Sequence, residues 1–247
     1  MKPVLQLMRG SLPGRPELGP ALSRAILEGV AAGKLAETAR LGRPGRVVAF
    51  GRQDTVSRGY PAAIAAAREA GYAAVERLAG GRAAVYTEGS LSLSRAYPDP
   101  SPRGATDARF HEMAELVRDV LRRIDVDARI GEVPGEYCPG AFSVNARGRR
   151  KLAGIGQRLI SGAAHVGAVL IVNDAREVRR VLEPVYAALE LDWDPATAGS
   201  VEDEAPGADL NSVTAALLEV LEERFRLVET EPDEATLRRA EALARPQ

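Results

Sequence analysis

Apolar residues that recur every three or four positions predict the helices of this chain. This spacing occurs over residues 20–33 and over residues 61–70. A longer apolar face predicts a helix that begins at Thr106 or Asp107, either of which can cap it, and runs to about Ile124. Further helices are predicted near the carboxyl end, over about 175–190, 209–224 and 233–244.

Short apolar or alternating runs predict the strands, and turn residues separate them. Residues 145–148 form a polar, basic tip between two runs that fit a hairpin. Residues 96–106 hold three prolines and are expected to form an exposed loop. Residues 194–208 are acidic and rich in Pro, Gly and Ala, which predicts a linker or mobile loop. The predicted strands are 47–50, 72–75, 83–86, 91–94, 142–144, 151–155 and 166–172.

These elements predict an α+β fold with a mixed, largely antiparallel sheet flanked by helices. The strands follow one another in short hairpins, and regular βαβ alternation is absent, which argues against a Rossmann fold. A chain of 247 residues can bury a full core. We expect a main domain over residues 1–190 and a helical C-terminal extension over residues 191–247.

The charge balance, and a sequence without an apparent membrane span or signal peptide, argue against several classes of function. The chain has 33 basic and 34 acidic residues, which argues against a nucleic-acid partner held by a basic surface. No apolar run approaches the length of a membrane span, and the N-terminus lacks the apolar core and cleavage site of a signal peptide. Cys138 is the sole cysteine, and a free thiol survives in the cytoplasm, where we expect the protein.

Cys138 is the residue whose surroundings most suggest chemistry. A lone cysteine is either a small buried hydrophobe or a nucleophile. Here it precedes Pro139 and Gly140, which favour a loop over the centre of a packed strand. Thirteen positions later, Lys151 opens a predicted strand. A lysine on an adjacent strand would lower the pKa of the thiol by placing a positive charge beside it.

The other candidate residues each allow two interpretations. Gly80 and Gly81, between two predicted strands, form either a tight turn or a place where the backbone approaches a ligand closely. His165 either faces a pocket, where it can polarise a carbonyl or orient a substrate, or is an ordinary strand-end residue. His111 is expected on a helix surface or in packing. With two histidines and one cysteine at unsuitable spacing, we predict no metal site.

Several motifs resemble those of the lipoate–protein ligase and octanoyltransferase superfamily. Its Gly-Gly-x-Ala-Val element and the strand that follows are similar to residues 80–85 (GGRAAV) and 88–94 (EGSLSLS). Its earlier Gly-Arg-x-Gln turn is similar to residues 48–53 (VAFGRQ). The most specific match is that of Lys-x-(Ala/Ser)-Gly-x-x-Gln-Arg to residues 151–158 (KLAGIGQR). Within the superfamily, the loop 137–140 (YCPG) most resembles the lipoyl (octanoyl) amidotransferase branch.

This resemblance implies the biotin/lipoate protein ligase catalytic fold, related to class II aminoacyl-tRNA synthetases, with residues 1–190 as the acyltransferase domain. It also implies that Cys138 accepts an octanoyl or lipoyl group and passes it to a lysine of a lipoyl carrier domain. Lys151 would assist as an oxyanion donor, together with backbone amides near Gly80 and Gly81, and as a proton acceptor. The implied substrate-binding residues are Arg77, Gly80, Gly81, Ala83, Val85, Tyr86, Gly154, Ile155, Gly156 and His165.

The resemblance further implies partners and an acyl pocket. The donor would be an acylated carrier protein, either acyl carrier protein or the glycine-cleavage H protein, and the acceptors would be lipoyl domains of 2-oxoacid dehydrogenase complexes. Neither nucleic acid nor membrane is expected as a partner, and no cofactor is expected; the protein would be a monomer. Apolar strands around Val85, Leu93 and Ile155 would line the tunnel for the acyl chain.

Some positions depart from the family pattern and leave two alternatives. Arg82 stands where a small or apolar residue is usual, and Ser92 replaces an asparagine. Tyr86 and Thr87 replace the His-Asp pair common in ATP-dependent ligases. One alternative is an ATP-dependent lipoate–protein ligase, which would use ATP and Mg and bring Lys151 to an acyl-adenylate. The other is a non-catalytic acyl-carrier-binding protein on the same fold.

Overall fold

Two β-sheets and their flanking helices form the part of the chain that the computed structural model describes, residues 1–10 and 14–244. The elements in chain order are β1 (Val4–Arg9), α1 (Leu18–Ala31), β2 (Thr38–Gly42), β3 (Val47–Phe50), α2 (Arg52–Thr55), α3 (Tyr60–Glu69), β4 (Ala73–Glu76), β5 (Ala84–Tyr86), β6 (Ser90–Pro98), α4 (Thr106–Arg123), β7 (Ala128–Ile130), β8 (Val144–Ala146), β9 (Arg150–Ile160), β10 (Ala163–Ile171), α5 (Ala175–Ala188), a 3-10 turn (Pro195–Thr197), α6 (Val201–Glu204), α7 (Leu210–Arg224), β11 (Arg226–Thr230) and α8 (Glu234–Ala244).

Strand pairing makes both sheets mixed. Within the described residues, the larger sheet has eight strands in the order β11-β1-β2-β6-β10-β9-β8-β7, and the smaller has three in the order β4-β3-β5. Pairing is parallel where β1 meets β11 and β2, and where β3 meets β4; the other pairs are antiparallel. The predicted α+β class with a mixed, largely antiparallel sheet is therefore confirmed.

The apolar faces that predict the helices are the faces that the protein buries. Helix α1 places Leu22, Ile26, Leu27 and Val30 against the larger sheet. Helix α4 buries its own apolar face beside α7, in the main core under the larger sheet. A second core lies between the smaller sheet, α3 and α5. The predicted cap of α4 is wrong: Ala105 occupies the cap position, and no side-chain hydrogen bond caps the helix.

Several segment boundaries also differ from expectation. The expected loop over 96–106 begins later, because β6 continues to Pro98 and pairs there with Ala163. The strand expected over 142–144 is displaced, because β8 occupies Val144–Ala146. The hairpin turn lies at Arg147 and Gly148, both with positive φ. Asn145 belongs to the strand, yet its side chain accepts a hydrogen bond from the amide of Gly148 (2.8 Å) and so still closes the turn.

The expected linker over 194–208 is instead packed structure. Residues 197–200 are buried, and the amide of Gly199 donates to the carbonyl of Lys151 (3.1 Å). Ser200 and Asp203 cap α6 reciprocally. Small residues are enriched in this segment because it passes close to β9: a methyl group on Gly199 would lie 2.8 Å from the Arg150 side chain. The segment therefore supports the strand that carries Lys151.

The residues beyond 190 pack onto the rest of the chain. Strand β11 pairs with β1 at the edge of the larger sheet, α7 packs on α4, and α8 packs on α1. The division of the chain near residue 190 stays a prediction. Among the described residues, no helix has both the length and the apolar character needed to cross a membrane.

Candidate active site

A cavity of about 430 Å³ lies between the two sheets. Strands β3, β4 and β5 of the smaller sheet form one side, and β6, β9 and β10 of the larger sheet form the other. Val85, Leu93 and Ile155 are among its apolar wall residues, as the sequence predicts. Polar groups gather where Cys138 and Lys151 meet the cavity. An apolar cleft with a few converging polar groups is the usual form of a small-molecule site.

The loop that carries Cys138 is held in an uncommon conformation. Cys138 has a φ of 42°, in the left-handed region that side-chain-bearing residues seldom adopt. Its backbone N–H donates to the hydroxyl oxygen of Tyr186 on α5 (2.7 Å), and that hydroxyl donates to the carbonyl of Ala83 (3.0 Å). Strain of this kind persists where surrounding contacts hold it, and such places are often functional sites.

Two donors converge on the half-buried Cys138 thiol. The guanidinium of Arg77 lies 3.2 Å from Sγ, and the backbone amide of Arg82 donates to Sγ at 3.3 Å. Burial by itself raises the pKa of this thiol. The positive charges of Arg77 and Lys151, with the hydrogen bonds from Arg77 and the Arg82 amide, outweigh burial and bring the pKa below its usual value. The site therefore favours the thiolate, the nucleophilic form.

Lys151 holds the Cys138 loop rather than the thiol itself. Its Nζ donates to Glu136 Oε1 (3.0 Å) and to the carbonyls of Tyr137 (3.0 Å) and Cys138 (2.7 Å). The side chain is 1% exposed, and Glu136 is fully buried as well. Glu136 also accepts hydrogen bonds from the amide of Gly140 and, at 2.5 Å, from the Ser143 hydroxyl. All three ammonium hydrogens of Lys151 thus have acceptors, and the pair fixes both ends of the loop.

We expect Cys138 to be alkylated by iodoacetamide with a pH midpoint below the value of a free cysteine, about 8.5. The lowered pKa of the folded thiol is the reason. The same shift makes the free energy of unfolding rise with pH between the folded and unfolded pKa; this stabilisation is lost as pH falls through the folded pKa. The midpoint is measured by stopping the alkylation reaction at a series of pH values and following the intact mass of the protein. Because Cys138 is the sole cysteine, the mass gain reports on that thiol.

The Arg77→Met variant is the control for this titration, because it removes the cation nearest to the thiol while keeping an apolar stem. Its midpoint should move upward. A midpoint at or above about 8.5 in the parent protein, or no upward movement in Arg77→Met, would show that the thiol is not activated as described.

The Gly80-Gly81 turn shapes the space beside the thiol. Gly81 has a φ of 102°, and a methyl group there would overlap the Arg77 guanidinium and lie 2.9 Å from Cys138 Sγ. A methyl group on Gly80 would meet nothing within 4 Å. Gly51 passes so close to the Gly81 carbonyl that a side chain at Gly51 would overlap it. The two motifs 48–53 and 80–85 are therefore parts of one packed arrangement that presents the Arg82 amide to Cys138.

Gly81→Ala is expected to slow alkylation of Cys138 and to lower the melting temperature. The new methyl group displaces Arg77 from the thiol, and the positive φ adds strain of about 1 kcal/mol or more. Gly80→Ala is the matched control, since its methyl group points into open space and no positive φ is involved. Equal effects of the two substitutions on alkylation would mean that the close approach at Gly81 does not position the thiol.

Strand β9 brings the glycines of the 151–158 motif to the cavity. A methyl group on Gly154 would lie 3.4 Å from the Lys151 side chain, and one on Gly156 would lie 2.7 Å from the Cβ of Ala79. These glycines leave room for Lys151 and for the 77–82 turn, and Ile155 between them lines the cavity. The glycines at positions 154 and 156 of the motif are therefore explained by steric contact, because a larger side chain at either position would crowd Lys151 or the 77–82 turn.

His165 lines the cavity from strand β10. Strand pairing places Val169 of β10 opposite Gly154 of β9, which lies beside the Lys151 side chain. His165 is four residues earlier on β10, roughly 13 Å along the strand, and its Nε2 lies 3.3 Å from the position of a methyl group on Gly167. Burial and the nearby charge of Arg40 lower the pKa of His165 to about 4, so the imidazole is neutral at pH 7. Burial also lowers the pKa of Arg40 to about 10. His165 thus faces the pocket, whereas the hydrogen bonds to the Cys138 thiol come from Arg77 and the Arg82 amide.

The cavity gathers eleven of the twelve sequence-predicted site residues. Ala83 is the exception: it is fully buried, and its carbonyl binds Tyr186 instead of facing the cavity. The eleven that line the cavity are Arg77, Gly80, Gly81, Val85, Tyr86, Cys138, Lys151, Gly154, Ile155, Gly156 and His165.

Four contributors to the site lie outside the sequence prediction. Glu136 adjoins Cys138, and an acid two positions before a candidate nucleophile is a signal that could have found it. Tyr186 is 48 residues from Cys138 and carries no sequence signal. The Arg82 amide and Arg40 likewise depend on strand placement. Within residues 1–10 and 14–244, no cluster of three or more His, Cys, Asp or Glu side chains could hold a metal ion.

Comparison with known proteins identifies relatives of this chain. The octanoyl-[GcvH]:protein N-octanoyltransferase of Anoxybacillus flavithermus is 35% identical over 153 residues, which are 62% of this chain and 54% of the relative. The protein of the same name from Bacillus velezensis is 30% identical over 187 residues, 75% of this chain and 65% of the relative. This chain thus spans less than two thirds of the length of these curated relatives.

Solved structures and a family model extend the likeness. The bipartite lipoate protein ligase of Thermoplasma acidophilum, from a study that also concerns its E2 lipoyl domain, superposes with a TM-score of 0.73. Identity is 20%, and the alignment covers 99% of this chain and 92% of the other, so the lipoate ligase fold expected from the sequence is confirmed. The model of the lipoyl protein ligase A/B catalytic domain matches residues 16–222. Because this match spans most of the chain, the protein belongs to the lipoyl protein ligase A/B catalytic domain family.

Proposed function

We propose that the protein is an acyltransferase that moves an octanoyl group through an acyl-Cys138 thioester onto a lysine of a lipoyl carrier domain. The observation that carries this proposal is the Cys138 thiol, which has a lowered pKa and lies at an apolar cavity between Arg77 and the Arg82 amide. Covalent catalysis by cysteine divides one difficult acyl exchange into two easier ones.

The first step is attack of the Cys138 thiolate on the acyl carbonyl of the donor. A new C–S bond forms, and the bond from the carbonyl to the donor group breaks. The negative oxygen of the tetrahedral intermediate needs hydrogen-bond donors. Arg77 and the Arg82 amide both point at Sγ and are the nearest candidates, whereas the three ammonium hydrogens of Lys151 are already bound.

Lys151 then has a positioning role. Its bonds to the carbonyls of residues 137 and 138 hold the left-handed Cys138 loop, and its charge helps to lower the thiol pKa. Glu136 balances that charge inside the protein. This role differs from proton acceptance, which would require the ammonium to give up a hydrogen that now bonds Glu136 or a carbonyl.

The apolar walls suit a medium-length acyl chain. Val85, Leu93 and Ile155 offer no charge to the ligand, and each CH₂ removed from water contributes about 0.8 kcal/mol. An octanoyl chain buried in this way gains roughly 5 kcal/mol. This gain is large enough to select an octanoyl group over a short acyl group.

The names of the relatives favour one donor over the other. In both names, octanoyl-[GcvH] stands first, as the donor, and the word for the protein that receives the octanoyl group follows it. We take GcvH as the glycine-cleavage H protein, and we propose octanoylated GcvH rather than acyl carrier protein as the donor. Lipoyl domains of 2-oxoacid dehydrogenase complexes are the proposed acceptors, the protein acts as a monomer, and the transfer needs no cofactor.

Transfer without ATP tests this function. Purified protein is mixed with octanoylated GcvH and an unmodified lipoyl domain, and intact mass follows the octanoyl group. We expect transfer that does not depend on added ATP and Mg. Octanoylation that requires ATP and free octanoate would instead favour the ligase alternative. Binding of the carrier with no transfer under either condition would favour the non-catalytic alternative.

A further inference from the structure

The exchange between two amides needs a group that carries a proton, and the structure points to one. A lysine amine leaves the donor as a good leaving group only if it receives a proton. The incoming lysine amine must lose one when it forms the new amide. Many cysteine acyltransferases and proteases use a histidine for this purpose. Here, Arg77 and the Arg82 amide, not His165, bond the thiol, and the low pKa of His165, about 4, makes it a weak base. His111 is an exposed residue that pairs with Glu115.

Most other ionisable groups around the thiol are already committed. Lys151 gives its three hydrogens to Glu136 and two carbonyls. The Tyr186 hydroxyl accepts from the Cys138 amide and donates to Ala83. The Tyr137 ring is buried: its centroid lies 4.9 Å from Lys151 Nζ and 5.9 Å from the centroid of the Trp193 ring. Burial, Cys138, Glu136 and Tyr86 all raise the pKa of Tyr137, so nothing there favours a phenolate.

Tyr86 is placed differently. It ends β5, lines the same cavity as Cys138 and is half-buried. Arg77, which bonds the thiol at 3.2 Å, also interacts with the Tyr86 phenol. One guanidinium therefore serves both groups, and it can pair with whichever of them is negative. Among the described residues that line the cavity, Tyr86 is the neutral acid that shares a cation with the nucleophile.

We propose that Tyr86 is the proton-transfer residue of the acyl exchange. This inference rests on the proposed function. As the Cys138 thiolate forms the C–S bond and the C–N bond of the donor breaks, the Tyr86 phenol gives its proton to the departing amine and becomes a phenolate paired with Arg77. When the acceptor amine attacks the thioester, the phenolate takes its proton, the C–S bond breaks, and the thiolate returns. Protons and charges balance over the cycle.

The electrostatics fit this order of events. The pKa of Tyr86 is raised overall: burial raises it most, Arg77 lowers it, and the negative charge of Cys138 raises it further. Acylation turns Cys138 into a neutral thioester, so the raising effect of the thiolate disappears while the lowering effect of Arg77 remains. The phenol thus becomes a stronger acid when the leaving amine needs a proton. The other charges nearby form two pairs, Lys151 with Glu136 and the Arg82 side chain with Asp54.

The test compares two donors that differ in leaving group. p-Nitrophenyl octanoate releases p-nitrophenolate, which needs no proton, whereas octanoylated GcvH releases a lysine amine. We expect Tyr86→Phe to give a p-nitrophenolate burst within about threefold of the parent protein, because Cys138 acylation is intact. Transfer from octanoylated GcvH to a lipoyl domain should fall about 100-fold or more, the usual effect of losing a general acid–base group.

Tyr60→Phe is the matched control, since Tyr60 packs edge-on against Phe50 beside the same sheet and does not line the cavity. It should change neither rate. Transfer by Tyr86→Phe within about threefold of the parent would overturn the proposal, and so would an equal loss with both donors, which would indicate a structural role. A parent protein that gives neither burst nor transfer would instead defeat the proposed function itself.

Discussion

Cys138→Ala is expected to abolish octanoyl transfer. The substitution removes the atom to which Arg77 and the Arg82 amide are bonded, and with it the acyl-enzyme. Loss of a covalent nucleophile commonly lowers turnover by about 10⁴-fold or more. The measurement is the rate at which a lipoyl domain gains an octanoyl group from octanoylated GcvH, followed by intact mass.

The fold should survive this change. Alanine keeps the Cβ of Cys138, so the strain at a φ of 42° is the same in both proteins. The loop is held by contacts to its backbone from Tyr186 and Lys151, which the substitution does not touch. A normal melting temperature together with lost transfer would therefore assign the loss to chemistry. Transfer by Cys138→Ala at more than about 1% of the parent rate would contradict a covalent route.

Lys151→Met is expected to destabilise the protein and to slow transfer at the same time. The variant leaves the Glu136 carboxylate buried without its cation, and breaking a buried pair costs about 3–5 kcal/mol. For a chain of this size such a loss lowers the melting temperature by about 10 °C. The pKa of Cys138 should rise, because Lys151 is one of the charges that lower it. Calorimetry and the pH profile of alkylation measure the two effects.

The double variant Lys151→Met with Glu136→Gln separates the two roles. Glutamine carries no charge that needs a cation, and its single carbonyl oxygen can accept from the Gly140 amide, but its NH₂ group then faces the Val133 amide that bonds the other carboxylate oxygen of Glu136. Part of the lost stability should return, with a coupling of about 0.5–3 kcal/mol between the sites. Thiol activation should not return. A Lys151→Met protein that melts within about 2 °C of the parent would show that the pair does not hold the loop.

The local parts of the structure follow directly from the sequence. The helices near 20–33, 106–124 and 209–224 were predictable because an apolar face repeats over three or more turns, and burial rewards that pattern wherever the helix docks. The meeting of Cys138 and Lys151 was also predictable, since a loop and the next strand of a hairpin are neighbours in space as well as in sequence.

The parts that depend on distant pairing could not be read from sequence. Strands β1 and β11 lie more than 200 residues apart in sequence, and only the assembled sheet joins them. The left-handed backbone at Cys138 lacks the glycine or asparagine that usually signals it. Arg77 was expected to bind substrate, and the structure adds its bond to the thiol, which depends on how the 77–82 turn packs against the Cys138 loop.

The mass of the protein after mixing with octanoylated GcvH, in the absence of an acceptor, tests the acyl-Cys138 intermediate most directly. We expect a gain of one octanoyl group, located by peptide mapping on Cys138. Neutral hydroxylamine should cleave the thioester and release the group as octanoyl hydroxamate, and an added lipoyl domain should remove it at the rate of overall transfer. Full-rate transfer with no octanoyl group on Cys138 at any time would contradict the account, because the acyl group would then pass directly from donor to acceptor.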